Sequence, residues 1–200
     1  PTVFNTKQVD FDGVDDYLVA ESPTISTEFT VSAWINTSDS SGEGAGGSFR
    51  SFFSTGTYNS GTTWKIGLKS GGEVEIWQGG FSRGASTTNV ADGNWHFVTY
   101  TKNSTQGKIY VDGVLETTTS YTTTLTFPYI YIGIGGINSP TPDNGGHYNG
   151  KISQIGLWNE VLTADEVSSL YNHGLPINLN TDQAAYASSS NLVGYWRMGS

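Results

Sequence analysis

The sequence predicts an all-β chain, an antiparallel two-sheet jelly-roll β-sandwich with one short surface helix near residues 163–173. Three observations predict it. Apolar and polar residues alternate at period two through most of the chain, the pattern of strands with one face buried. Gly-containing turn pairs, Asp12-Gly13 and Asp112-Gly113 among them, punctuate these runs. Charged residues are only 14% of the 200, against 26 glycines and 13% aromatics, which suits short strands, tight turns and large buried rings.

The elements follow in order. Val9 and Phe11 lead into the Asp12-Gly13 turn, and the chain resumes at Tyr17-Leu18-Val19. In the run from Phe29 to Ile35, Phe29, Val31, Ala33 and Ile35 share one face while Trp34 points the other way. Trp95, Phe97 and Thr99 oppose His96, Val98 and Tyr100 in the same manner. Lys108 to Val111 enters the Asp112-Gly113 hairpin turn; Tyr129–Ile132 and Ile152–Trp158 add two strands, and Leu192–Met198 has strand character. The polar tract 117–126 reads as an edge strand or its connector. Thr163-Ala-Asp-Glu166 is a capping box, followed by the apolar stripe Val167, Leu170, Tyr171 and by Gly174 as a left-handed cap. Residues 38–48 and 137–146 are rich in Gly, Ser and acidic or amide residues and read as long loops at one end of the sandwich.

Composition also excludes. With no cysteine, disulfides, thiolate metal sites and thiol catalysis are out, and a bacterial or viral origin is expected over a disulfide-stapled animal module. A net charge of −9 excludes a nucleic-acid partner, which needs clustered Lys and Arg, and no apolar run suits membrane insertion. The whole chain, 1–200, is expected to be one domain attached to or cut from a larger surface or virion protein, extracellular or on a cell or virion surface.

The order of several motifs carries a resemblance. Val9-Asp-Phe-Asp-Gly-Val-Asp-Asp-Tyr17, Phe29-Thr-Val-Ser-Ala-Trp34, Gly93-Asn-Trp-His-Phe-Val98, Ile109-Tyr-Val-Asp-Gly113 and Gly150-Lys-Ile-Ser-Gln-Ile-Gly-Leu-Trp158 resemble the successive strands of bacterial laminin-G-like and pentraxin-like domains of the concanavalin A-like superfamily. The resemblance spans residues 3–174 and implies the sandwich, but this fold hosts lectins, adhesins, glycosidases and spacers alike. Ser153 and Gln154 stand where that family commonly has acidic residues, so its usual calcium is not implied there. The double-calcium loop of pentraxins has no counterpart.

No catalytic residue is assigned. Glu73-Val-Glu75-Ile-Trp77-Gln78 resembles the Glu-x-Asp-x-x-Glu strand of laminarinase-type glucanases, but Gln78 replaces the last carboxylate, and a retaining glycosidase needs both acids. The expected function is a non-catalytic recognition or decoration module for a glycan or surface polysaccharide. The alternatives are a structural virion or fibre module contacting only other subunits, and a degenerate glycoside hydrolase. Sugars stack their C–H faces on aromatic rings, so Trp77, Glu75, Gln78, Trp64 and His147 form the expected contact set. Asp12, Asp15 and Asp16, in the densest carboxylate cluster, are the expected ligands should calcium bind; the competing reading is turn chemistry around Gly13. Asp143 and Asn144 beside Asp39 and Glu43 are a second option.

Overall fold

A computed structural model describes residues 7–198 except 26, 42, 45–47, 56–63, 80, 121–128, 136, 139–140 and 143–145. Two antiparallel sheets pack face to face as a jelly-roll sandwich. The first sheet runs β1 (Val9–Asp12), β15 (Asn149–Trp158), β3 (Phe29–Asn36), β9 (Trp95–Lys102), β10 (Gln106–Val111) and β11 (Val114–Ser120). The second runs β2 (Leu18–Glu21), β12 (Tyr129–Ile132), β5 (Ser48–Thr55), β6 (Trp64–Leu68), β7 (Glu73–Gln78) and β8 (Phe81–Asn89). One edge of β15 is shared, with β1 against residues 149–152 and β16 (Leu192–Trp196) against 155–158. Two-residue strands lie inside the long loops: β4 (Glu43–Gly44) beside β5, and β13 (Ile137–Asn138) paired with β14 (Thr141–Pro142).

Alternation decides what is buried between the sheets. Phe29, Val31, Ala33 and Ile35 of β3 meet Trp64, Ile66 and Leu68 of β6 and Val74 and Ile76 of β7 in one apolar cluster. Trp64 sits at its centre, edge-on to Phe29 at 5.3 Å between ring centroids and beside Tyr100 at 5.3 Å.

A second cluster covers the outer face of the first sheet. Trp34, Phe97, Tyr110 and Trp158 from the strands are met by Leu162, Val167 and Leu170 of the helical segment and by Leu179 and Tyr186 of the following tail. Trp158 Nε1 donates to the Tyr186 hydroxyl at 2.9 Å, which donates to the Leu179 carbonyl at 2.8 Å, so the buried polar atoms are paired. The helix α1 (Ala164–Tyr171) carries the expected capping box, but it ends earlier than the glycine suggests. Asn172 takes the left-handed cap at φ 46° and His173 follows at φ 55°, conformations that a short polar side chain tolerates. Among the described residues no helix is long and apolar enough to cross a membrane.

On the side away from β1 and β2 the two sheets are clipped together. Glu116 of β11 accepts the backbone N–H and the hydroxyl of both Thr87 and Thr88 on β8, and the Thr117 hydroxyl donates to the Ala85 carbonyl at 2.6 Å. The polar tract is therefore an edge strand through Ser120; its remainder lies outside the described residues.

Candidate functional site

The second sheet turns one row of side chains to its outer face: Val19, Tyr131, Ser54, Lys65, Trp77 and Ser82 lie opposite one another on β2, β12, β5, β6, β7 and β8. On β7 the alternation is strict, so Glu73, Glu75 and Trp77 face outward while Val74, Ile76 and Gln78 face the core. Trp77 is partly buried, and its indole N–H donates to the Glu75 carboxylate. The other Glu75 oxygen accepts the Ser82 hydroxyl at 2.6 Å. An aromatic ring is thus held from below by a carboxylate that is itself held from β8.

The sequence-predicted contact set does not assemble as a whole. Trp77 and Glu75 share this face, but three of the five belong elsewhere. Trp64 is 0% exposed, because it is in phase with Ile66 and Leu68 and fills the core. Gln78 is 1% exposed on the inner face, an odd number of residues from Glu75, and its amide has no partner among the described residues. It could never have supplied an acid beside Glu75, whatever residue stood there. His147 is 7% exposed, pinned where Ser51 bridges to it and Gly146 accepts the Ser51 N–H at 3.0 Å. Ser82, missed in the sequence, has no local signal; only the pairing of β7 with β8 reveals it.

As a general acid/base pair the strand is poorly arranged. Glu75 is committed to Trp77 and Ser82, and Glu73 lies 3.9 Å from the Lys69 ammonium.

The long loops do meet at one end. Arg50 pairs with Asp39 at 3.2 Å and donates to the Ser41 hydroxyl and the His147 carbonyl, while the Asn149 amide reaches Asp39 at 3.3 Å. Burial opposes ionisation of Asp39, but the Ser41 bonds, Arg50 and Asn149 outweigh it and hold the carboxyl below its ordinary range. Asp143 and Asn144 lie outside the described residues, and so does the side chain of Glu43.

Asp12, Asp15 and Asp16 are brought together as expected, exposed and with one carboxylate oxygen each within 4.8 Å of the others. These are the residues that could hold a hard cation. Much of their capacity is already used by the turn. Asp12 Oδ1 accepts the N–H of Val14 at 2.8 Å and of Asp15 at 3.4 Å, and Asp16 Oδ2 accepts the N–H of Asp12 at 3.1 Å. Gly13, at φ 77°, brings the turn so close that a Cβ there would stand 2.8 Å from Asn149 and 3.2 Å from the Arg50 guanidinium, which supplies positive charge beside the cluster.

The comparisons with known proteins agree with this architecture. A laminin G-type family model, described as the concanavalin A-like lectin/glucanases superfamily, matches residues 12–168. Among curated proteins none matches the chain in sequence. A native heptameric SAP-like pentraxin from Limulus polyphemus superposes with a TM-score of 0.65 at 16% identity, over 95% of this chain and 90% of that one. The CBM40 of the Ruminococcus gnavus IT-sialidase, solved with α2,3-sialyllactose, gives 0.61 at 14% identity, over 82% of this chain and 97% of that one. Domains LG4-5 of the mouse laminin α1 chain give 0.61 at 17% identity, over 82% of this chain and 46% of that one. At such identities the likeness is one of fold.

Proposed function

The chain belongs to the concanavalin A-like lectin/glucanases superfamily, and from that premise we propose that it is a non-catalytic recognition module binding glycan on the outer face of its second sheet. One observation carries this reading: the Trp77 ring is fixed on the outer face by Glu75, which is itself held by Ser82. A pre-oriented ring loses little freedom when a sugar stacks on it, and the flanking carboxylate and hydroxyl are groups that order sugar hydroxyls. The similar CBM40 carries a bound sialyllactose, which supports the same use here. The commitment of both Glu75 oxygens supports binding over hydrolysis. Such a module works outside the cell or on a surface structure, bacterial or phage, where glycans and polysaccharides are presented.

A glycan array run with and without calcium tests the reading, followed by Trp77→Ala on the best hit. Signals lost with Trp77→Ala support it; an array silent in both conditions removes glycan from the account. A second reading, a structural virion or fibre module making only protein contacts, is favoured by the exposed Val14, Leu18 and Val19 near the β2 edge. Sedimentation separates the two, since a structural module associates without any sugar.

A further inference from the structure

The outer row of the second sheet has aromatic groups at both ends. Tyr129 and Tyr131, two apart on β12, share this face with their ring centroids 6.4 Å apart and their planes tilted by 50°. Val19 lies opposite Tyr131 and Glu21 opposite Tyr129, and Tyr17 precedes β2 in the same phase. Tyr129 is 48% exposed, Tyr17 36% and Val19 57%, while Tyr131 among them is buried at 8%, so a ligand would meet the rings of Tyr17 and Tyr129 with Tyr131 as their support. Burial and the nearby Tyr129 and Tyr17 push the Tyr131 hydroxyl above its ordinary range.

Resting on the reading that glycan binds at Trp77, we infer that Tyr17, Tyr129 and Tyr131 form a second sugar subsite at the opposite edge of the same face, so that the ligand is an extended neutral chain of several sugar residues. Tyr131 and Trp77 are joined by register through Ser54 and Lys65, three strand steps, or about 14 Å at the usual spacing between strands. Ser54 is fully buried and its hydroxyl donates to the Ile134 carbonyl at 2.6 Å, so the row is covered between the two ends, which stand as distinct subsites. Each end offers the same chemistry: ring faces for C–H surfaces and one carboxylate, Glu21 or Glu75, for hydroxyls. Neither β2 nor β12 contains a cation, which favours a neutral sugar over an acidic one at the tyrosines. A chain that occupies both subsites gains through effective concentration, without a new contact type.

Calorimetric titration with disaccharides and hexasaccharides of glucose, xylose, mannose and N-acetylglucosamine tests this. The hexasaccharide of the preferred sugar is expected to bind at least about ten-fold more tightly than its disaccharide. Tyr129→Ala should remove that gain while leaving disaccharide affinity and the melting temperature unchanged, with Tyr17→Ala as an independent second variant; Trp77→Ala should weaken both lengths. If both tyrosine variants keep the full length-dependence, the second subsite is wrong while the Trp77 site stands. If no sugar binds, or Trp77→Ala changes nothing, both readings fall together. Sugar-independent self-association abolished by Tyr129→Ala would make the patch a protein interface and overturn the subsite.

Discussion

The outer face of the first sheet carries Trp34, Phe97, Tyr110 and Trp158, and that of the second carries Tyr131, Lys65, Glu75 and Trp77. Both faces hold large rings, yet only the first is roofed by α1 and the tail, with Tyr171 stacked on Trp34 at 5.9 Å between ring centroids. The difference is chemical. On the first sheet the rings adjoin one another and apolar helix residues, so covering them removes a large apolar area from water. On the second, Trp77 has the Glu75 carboxylate beside it and Tyr129 lies opposite Glu21, and a roof would strand those charges without water. The same aromatic residue type is thus core on one face and platform on the other, according to its neighbours across the strands.

Substitutions should break this comparison unevenly. Trp158→Ala, on the covered face, is expected to cost about 3–5 kcal/mol, read as a fall in the denaturation midpoint. Next comes the clip between the sheets. Glu116→Gln should cost about 2 kcal/mol, since the Thr87 and Thr88 donors lose a charged acceptor. Burial opposes ionisation of Glu116, but the Thr88 and Thr87 bonds prevail and lower its pKa. Its native pKa lies below the unfolded one, so this stabilisation is present at neutral pH and is lost as pH falls through the native value. A stability profile of the variant that still shows the wild-type acid limb would disprove the assignment.

His96 has the opposite sign. Its ring bonds Asp112 at 2.8 Å and Asp92 at 3.1 Å, and its pKa is raised by the Asp112 bond first, against burial, with Asp92 adding to it. The folded protein therefore holds the proton more tightly than the unfolded chain. The stabilisation is complete below the ordinary histidine value of about 6.5 and disappears as pH rises through the native value. Urea midpoints measured from pH 6 to 9 should decline in the wild type and flatten in His96→Gln; parallel slopes would remove His96 from the linkage. The smallest effect is expected at Asp12, Asp15 and Asp16. Because backbone N–H groups occupy the turn carboxylates, millimolar calcium should leave the melting curve where chelator leaves it. A rise of several degrees would make the three residues ligands, through mass action on the native state.

Much of this was legible in the chain, and the misses have identifiable causes. The capping box placed α1, and Asp112-Gly113 placed the β10–β11 turn, because both signals are local. The phase of Trp64-Lys-Ile-Gly-Leu68 already assigns Trp64 to the core with Ile66 and Leu68, and the phase of β7 already turns Gln78 away from Glu75. Reading each strand as a list of residue types, without its alternation, grouped side chains from opposite faces. The bond of Ser82 to Glu75, the His96 bonds to Asp92 and Asp112, and the pairing of Tyr131 with Val19 were out of reach. Each depends on which strands or turns lie side by side, and in the last case the partners are more than a hundred residues apart.

The most direct test of the account compares Trp77→Ala with the wild type for affinity toward the preferred glycan and for thermal unfolding. A partly exposed platform held by Glu75 and Ser82 should lose at least about 2 kcal/mol of binding, roughly thirty-fold in Kd, for no more than about 1 kcal/mol of stability. Unchanged affinity, or a loss of stability as large as that of Trp158→Ala, would contradict it.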